Sequence, residues 1–233
     1  MMTRFVLISV GVAMLALAAT SSLSISQQAA NGTTTSLAVV TFTFDFPQSH
    51  PEHYSISVDA TGHARYECTG KITEDSEEQV YKSEFEMSAE SRKRIFEWAK
   101  QAQYFAGKLD SGSRKVAFAG AKILSYQDGQ RSFMARYNYS SIAAVQQLTA
   151  LLQNIAGTLE YGSRLSYYHR YQKLAMDDEL KHMEAQAKSN ELSEIQCVAT
   201  VLKDIVDDPS VMNVVRARAK DLIEIGNTTS QLR

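Results

Sequence analysis

The stretch AVVTFTFDFPQSHPEHYSISVDATGHARYEC, residues 38–68, decides the fold because its apolar side chains recur at every second position. The first part places four large apolar side chains on one face: Val40, Phe42, Phe44 and Phe46. Alternation with a period of two is typical of a β-strand that buries one face. Pro47 follows, and proline ends a strand because it has no N–H group to donate. The sequence therefore predicts a strand that ends near residue 46.

The second part of the stretch predicts a β-hairpin. Its outgoing run alternates polar residues with Tyr54, Ile56 and Val58. The return run is a strand with two faces. The face toward the core consists either of Ala64, Tyr66 and Cys68 or of Arg65 and Glu67. Residues 59–62 lie between the runs, and Gly62 can take the positive φ that a tight turn requires.

Two further regions extend the predicted sheet to about six strands. Residues 77–88, EEQVYKSEFEMS, predict a strand whose buried side includes Val80, Phe85 and Met87. Residues 121–139 contain two alternating runs joined at Asp128-Gly129, which is a strong hairpin signal.

One helix is predicted between these strands. Ser88 is a good N-cap, and the apolar positions that follow have helical spacing as far as about Tyr104. The stripe that we expect to pack on the sheet consists of Ile95, Trp98, Ala99 and Ala102.

Only helical patterns follow Tyr139. Ser140 or Ser141 can cap one long helix that we expect to kink near Gly162 and to reach about Lys188. Two shorter helices then form a helical hairpin. The first helix ends at Asp208-Pro209, and the second ends at Gly226. The predicted fold is therefore α+β, with an antiparallel sheet and one packed helix in residues 37–140 and a helical region in residues 141–226.

The N-terminus has the pattern of a secretory signal peptide, which we assign to residues 1–20. Arg4 precedes 15 residues, 5–19, that are apolar except for Ser9. This run is shorter than the roughly 18–20 residues that cross a bilayer as a helix. We expect an exported protein, periplasmic or secreted, with a flexible leader at residues 21–36 and no transmembrane segment after signal removal. An uncleaved signal anchor is the alternative.

Charge and motifs argue against several functional classes. The net charge of −2 gives no basic face for nucleic acid, which is not an expected partner. The sequence has no glycine-rich phosphate loop, dinucleotide fingerprint, haem attachment motif or nucleophile elbow. We therefore expect no cofactor, assign no catalytic residue and lean away from an enzyme.

Three of the five histidines lie near the predicted hairpin and raise the possibility of a metal site. His50, His53 and His63, with Glu67 and Cys68, are residue types that bind zinc, which needs three or four rigidly held ligands. However, His50 and His53 flank a proline in a loop, so the spacing does not direct them to one point. A polar loop is favoured, and no metal site is assigned. A metal-dependent secreted hydrolase that uses the three histidines is the alternative function.

Two other groups of residues have a structural and a functional interpretation. Cys68 and Cys197 could form a disulfide in an oxidising compartment, although two separate buried thiols are favoured. The acidic run at residues 177–179 lies between Lys173 and Lys181, which favours an exposed helix face with salt links four residues apart over an acid–base pair.

The segment YGSRLSYYHRY, residues 161–171, is the most distinctive part of the helical region. Helical spacing of Tyr161, Leu165 and Tyr168 accounts for about half of it by packing. Aromatic residues together with arginines could also stack on sugars or bases, or form the centre of a protein interface. We therefore expect a non-catalytic binding or structural protein whose contact surface is this segment together with the helical hairpin. The partner would be another exported protein. A third option is an inhibitor or assembly factor for another exported protein.

The sheet half resembles uncharacterised secreted bacterial domains of unknown function. The positions that carry the resemblance are Pro51, Tyr54, Ile56, Val58, Asp59, Gly62, Tyr66 and the pair Tyr104-Phe105. The resemblance covers roughly residues 37–138 and implies an α+β fold without an assigned activity. Separately, residues 207–223, DDPSVMNVVRARAKDLI, are similar to the second half of a HEAT-type helical repeat.

Overall fold

Alternating side chains build an antiparallel sheet in the computed structural model, which describes residues 37–47, 49–71, 78–113 and 115–231. The predicted signal peptide and leader lie outside these residues. The strands are β1 (Val39–Asp45), β2 (His53–Asp59), β3 (His63–Gly70), β4 (Gln79–Glu86), β5 (Ala121–Gln127) and β6 (Ser132–Tyr137). The helices are α1 (Ala89–Gln101), α2 (Ala143–Tyr171), α3 (Met176–Lys188), α4 (Ala199–Asp207) and α5 (Asn213–Gln231). The predicted α+β class is confirmed.

The six strands have the order β4-β3-β2-β1-β5-β6, so the strand that opens the fold lies inside the sheet. The register places Phe42 opposite Ile56 on one side and Leu124 on the other, and all three side chains are fully buried. The predicted inner face of β1 and β2 is therefore confirmed. Val80 was predicted to be buried, but it is 57% exposed because it has the opposite parity to Phe85.

Side-chain hydrogen bonds fix the turn between β2 and β3. The Asp59 carboxylate accepts hydrogen bonds from the backbone N–H groups of Thr61 at 2.8 Å, Gly62 at 3.0 Å and His63 at 3.1 Å. Gly62 has a φ of +105°, which a side chain would disfavour. The hairpin that the sequence predicts at this position is confirmed.

A buried carboxylate joins the start of α1 to the helical region. Ser88 caps α1 by accepting a hydrogen bond from the Ser91 N–H group at 3.2 Å. The Glu194 carboxylate accepts hydrogen bonds from the Ser88 N–H at 2.8 Å, the Ser88 hydroxyl at 2.6 Å and the Ser91 hydroxyl at 2.5 Å. Because several donors satisfy it, this 7% exposed residue is a structural link between the two regions.

Helix α2 runs without interruption through Gly162, so the predicted kink there is wrong. A Cβ atom at this glycine would lie 2.5 Å from Val198 Cγ1, so Gly162 serves close helix packing. The break falls at Gln172, with φ −144° and ψ 60°, and α3 begins after one turn of 3₁₀-helix. The predicted N-cap is also displaced, because Ile142 occupies that position and Ser140 Oγ instead accepts from the Ile142 N–H at 3.3 Å.

The predicted helical hairpin is formed by α4 and α5, and α5 continues past Gly226 to Gln231. A single hydrophobic core extends from Val40 in the sheet to Leu222 in α5, so the sheet and the helical region support one another. None of the described helices combines the length and the apolar character needed to cross a membrane.

Candidate functional site

His63 lies apart from the other two histidines of the alternative metal site, because the exposed His50 is three residues before His53, in the loop that leads into β2. His53 pairs with Thr69 at one end of the β2–β3 hairpin, whereas His63 lies at the other end beside the Val58–Ala64 pair. At about 3.4 Å per residue, the two ends are roughly 17–20 Å apart. His63 instead contacts the Glu86 carboxylate at 3.2 Å on the neighbouring strand. Among the described residues, no group of three His, Cys, Asp or Glu side chains could hold a metal ion.

The two cysteines are both free thiols in the structure. Cys68 is buried on the inner face of β3, and burial is the main cause that raises its pKa. Burial likewise raises the pKa of Cys197, which lies in the 3₁₀-turn Ile195–Val198. A raised thiol pKa disfavours the reactive thiolate.

The acidic run at residues 177–179 divides between surface and interior. Asp178 is 81% exposed, and Asp177 forms the predicted i,i+4 salt bridge with Lys181. Glu179, however, is only 14% exposed and accepts a hydrogen bond from Arg164 Nε at 2.6 Å. The predicted exposed face is thus only part of the arrangement, because Glu179 joins α3 to α2.

The first half of the Tyr/Arg segment is structural. Tyr161 and Leu165 are buried, and the Arg164 guanidinium lies 4.7 Å from the centre of the Tyr161 ring. Arg164 also approaches Glu160 at 3.7 Å, in addition to its hydrogen bond to Glu179. Packing therefore explains this half.

The second half of the segment extends into solvent at the end of α2. The exposed fraction is 63% for Tyr171 and 81% for Leu174, which lies in the 3₁₀-turn that follows. The Tyr167 and Tyr171 rings contact each other with centroids 5.0 Å apart, and the Arg170 guanidinium lies 5.8 Å from the centre of the Tyr171 ring. We call the four residues Tyr167, Arg170, Tyr171 and Leu174 the α2-end surface.

Asp208 holds the helical hairpin beside the α2-end surface. Its Oδ2 atom contacts His169 Nε2 at 2.9 Å and Lys173 Nζ at 2.5 Å, and Lys173 also donates to Ser210 Oγ. The pKa of Asp208 lies well below its usual range, and the main cause is the hydrogen bond from Lys173. Exposed Met212 follows in the turn, and exposed Val214 lies at the start of α5. The two parts of the predicted contact surface, the Tyr/Arg segment and the helical hairpin, are therefore adjacent in the fold.

Glu160 is a buried ionisable group that the sequence analysis missed. Its carboxylate lies between α2 and the sheet, where it accepts a hydrogen bond from the Tyr66 hydroxyl at 3.4 Å. Burial raises the pKa of Glu160 to about 7, although Arg164 and Tyr66 lower it in part. The i,i+4 spacing of Glu160 and Arg164 beside the buried stripe was the available signal.

Comparison with known proteins gives no further assignment, since no protein-family model matches the chain and no curated protein matches it. The resemblance of residues 37–138 to secreted domains of unknown function stays a prediction.

Proposed function

We propose that this is an exported protein that acts by binding another exported protein through the α2-end surface and the adjacent hairpin turn. The single observation that carries the proposal is the exposure of Tyr171 and Leu174 at 63% and 81%. Large side chains that remain exposed on an otherwise packed helix lose contact with water when a partner covers them, and that loss is favourable.

The composition of the α2-end surface supports a protein partner. Tyrosine and arginine are enriched among the residues that contribute most to binding energy, and aromatic pairs bury a large area with little loss of rotamer freedom. Arg170 and Lys173 carry positive charge beside the aromatic residues, and Asp208 forms an ion pair with Lys173. We therefore expect a partner with an apolar centre and an acidic rim.

The α2-end surface is held in place by the packing of α2 and by the contacts of Asp208, which favours binding without a large rearrangement. Helix α2 is 29 residues long, and its buried side packs in the common core as far as Leu165. Contacts of Asp208 with His169 and Lys173 then fix the hairpin turn against the last turn of the helix. A surface held in advance loses less conformational entropy when it binds.

Export of the protein is part of the proposal. It is supported by the apolar run of residues 5–19 behind Arg4, which has the pattern of a secretory signal peptide. The partner is therefore sought among periplasmic or secreted proteins.

Site-specific photocrosslinking in the native cell tests both parts of the proposal. A benzophenone side chain is placed at Leu174, and a matched probe is placed at Val80, which is 57% exposed on β4. We expect one reproducible crosslinked partner at Leu174, absent at Val80, in the exported fraction. Equal crosslinking at both positions, no crosslinked product at Leu174, or protein only in the cytoplasm would overturn the proposal.

A further inference from the structure

A pocket of about 250 Å³ lies between the sheet and the first turns of α2. The loop before β5 contributes Val116 and Ala119, the paired strands contribute Lys122 and Tyr137, and α2 contributes Gln146 and Thr149. Gln146, Thr149, Ala150 and Gln153 recur at i, i+3, i+4 and i+7, so one face of the helix forms a wall. This pocket is at the opposite end of α2 from the proposed protein contact.

Lys122 occupies an inner-face position where the strand pattern requires an apolar residue. It is paired with Phe44 in the register, on the same side of β5 as buried Leu124, and it is only 8% exposed. Its ammonium group lies 5.5 Å from the centre of the Phe44 ring. A lysine in this position is unusual because Lys is almost never fully buried without a partner.

Neutral groups surround the Lys122 ammonium. It donates hydrogen bonds to the carbonyl oxygens of Ala119 at 3.1 Å, Asn138 at 3.1 Å and Gly120 at 3.4 Å. All three are longer than the roughly 2.7–2.9 Å typical of an ammonium with a carboxylate. Among the described residues, no carboxylate forms an ion pair with Lys122, and burial lowers its pKa. The positive charge is therefore solvated by dipoles and is not paired directly with an acid. The Asp110 carboxylate accepts a hydrogen bond from the Asn138 N–H at 2.6 Å and does not contact Lys122 as an ion pair.

The remaining described residues that line the pocket add polar groups and no acid. Thr149 donates its proton to the Val145 carbonyl at 2.6 Å, so the Tyr137 hydroxyl donates to Thr149 Oγ1. Burial raises the pKa of Tyr137 to about 12, which keeps that hydroxyl protonated. The uncapped N-terminus of α2, at Ala143, makes this end of the helix positive. The electrostatic environment therefore favours an anion.

We propose that this pocket binds a small organic acid, with the carboxylate on Lys122 and the apolar part against Val116, Ala119 and Ala150. A ligand oxygen would replace the long hydrogen bond to Gly120 and give Lys122 its missing counter-ion. The volume is below the roughly 300–1,000 Å³ of pockets for drug-sized ligands, so the ligand is small.

Titration with two matched probes, followed by NMR, tests this inference. Hexanoate and hexanamide have the same chain, but only hexanoate carries a charge at pH 7. We expect hexanoate to shift the backbone amide signals of Thr149 and Ala150 saturably, with an affinity about tenfold or more above that of hexanamide. Equal affinity for the two probes, or no shift with hexanoate, would refute the proposed acid site.

Three variants separate a binding lysine from one that only anchors the loop. Lys122→Met should lower the hexanoate affinity about tenfold or more, whereas Lys115→Met removes an exposed charge from the same loop and should leave the affinity unchanged. Ala150→Phe, at an exposed position, should block the pocket without touching Lys122. Hexanoate binding that survives in both Lys122→Met and Ala150→Phe would contradict the proposal. If Lys122→Met fails to fold, the Ala150→Phe result decides.

Discussion

The two ends of α2 differ in the groups that they leave available for binding. At its first turns, Gln146 and Thr149 border a concave pocket in which the Lys122 charge has no counter-ion among the described residues. At its last turn, Tyr171 and the following Leu174 extend into solvent without an apolar cover. The first end suits a small anion, and the second suits a protein surface.

The middle of α2 explains why both ends can be held in place. Leu152, Leu159 and Leu165 are buried to within 1% of full burial, and they pack in the core shared by the sheet and the helices. The contrast indicates that exposure along this helix is not a consequence of loose packing. It also shows where substitutions should affect folding and where they should affect binding alone.

The largest effect should come from matched leucine truncations in the middle and at the end of α2. Leu165→Ala removes a fully buried side chain, so we expect a loss of about 2–5 kcal/mol in the free energy of unfolding. Leu174→Ala alters a side chain that is 81% exposed and should change it by less than about 0.5 kcal/mol. Urea denaturation measures both. A similar loss in the two variants would mean that the α2-end surface is structural.

A smaller effect on the free energy of unfolding should come from substitution of Glu160, which lies between the two ends of α2. Its folded-state pKa of about 7 lies above the roughly 4.3 of an unfolded glutamate, so the folded state holds the proton more tightly between these values. Stability therefore falls as pH rises from about 4 to 7 and stays reduced above it. Glu160→Gln should increase the free energy of unfolding by roughly 1–3 kcal/mol at pH 8 and change it little at pH 4.

Glu97→Gln is the control for this prediction because the Glu97 side chain is 55% exposed. It should leave the pH dependence of unfolding as it is in the unmodified protein. A Glu160→Gln variant with an unaltered pH dependence would show that Glu160 titrates normally.

The smallest effect on stability should come from the link between α2 and the hairpin. The pKa of Asp208 is lowered, chiefly by the hydrogen bond from Lys173, so its contribution to stability is present above the unfolded value near 4 and is lost as pH falls through the folded value. Asp208→Asn should lower the melting temperature slightly at pH 7, and the difference should disappear at strongly acidic pH. Asp207→Asn, one residue away and exposed, should have no such effect.

The parts of the fold that follow from local patterns could be predicted from the sequence. The alternation around Phe42 and the turn at Gly62 specify strands and a hairpin, because side-chain parity and turn geometry act over a few residues. Gly162 was misjudged because its role depends on Val198, which lies far along the chain and approaches only in the folded state.

The candidate sites also combine features that the local sequence indicates with features that depend on distant parts of the chain. The tyrosines and arginines of residues 161–171 led to the prediction of a contact surface by residue type, but only the three-dimensional arrangement separates buried Tyr161 from exposed Tyr171. Lys122 interrupts the inner-face alternation before Leu124, which was a visible signal. The absence of a direct ion pair among the described residues depends on which groups surround Lys122, namely carbonyl groups from the loop before β5 and from Asn138, just after β6.

The most direct test of the account measures the affinity of the partner captured at Leu174 for three forms of the protein. Relative to the unmodified protein, the Tyr171→Ala, Leu174→Ala double variant should bind at least about thirtyfold more weakly, as expected for a buried interface centre. Val80→Ala should bind with unchanged affinity, because Val80 is exposed on β4 and lies outside the α2-end surface. An unchanged dissociation constant for the double variant would contradict the proposal that the end of α2 is the contact surface.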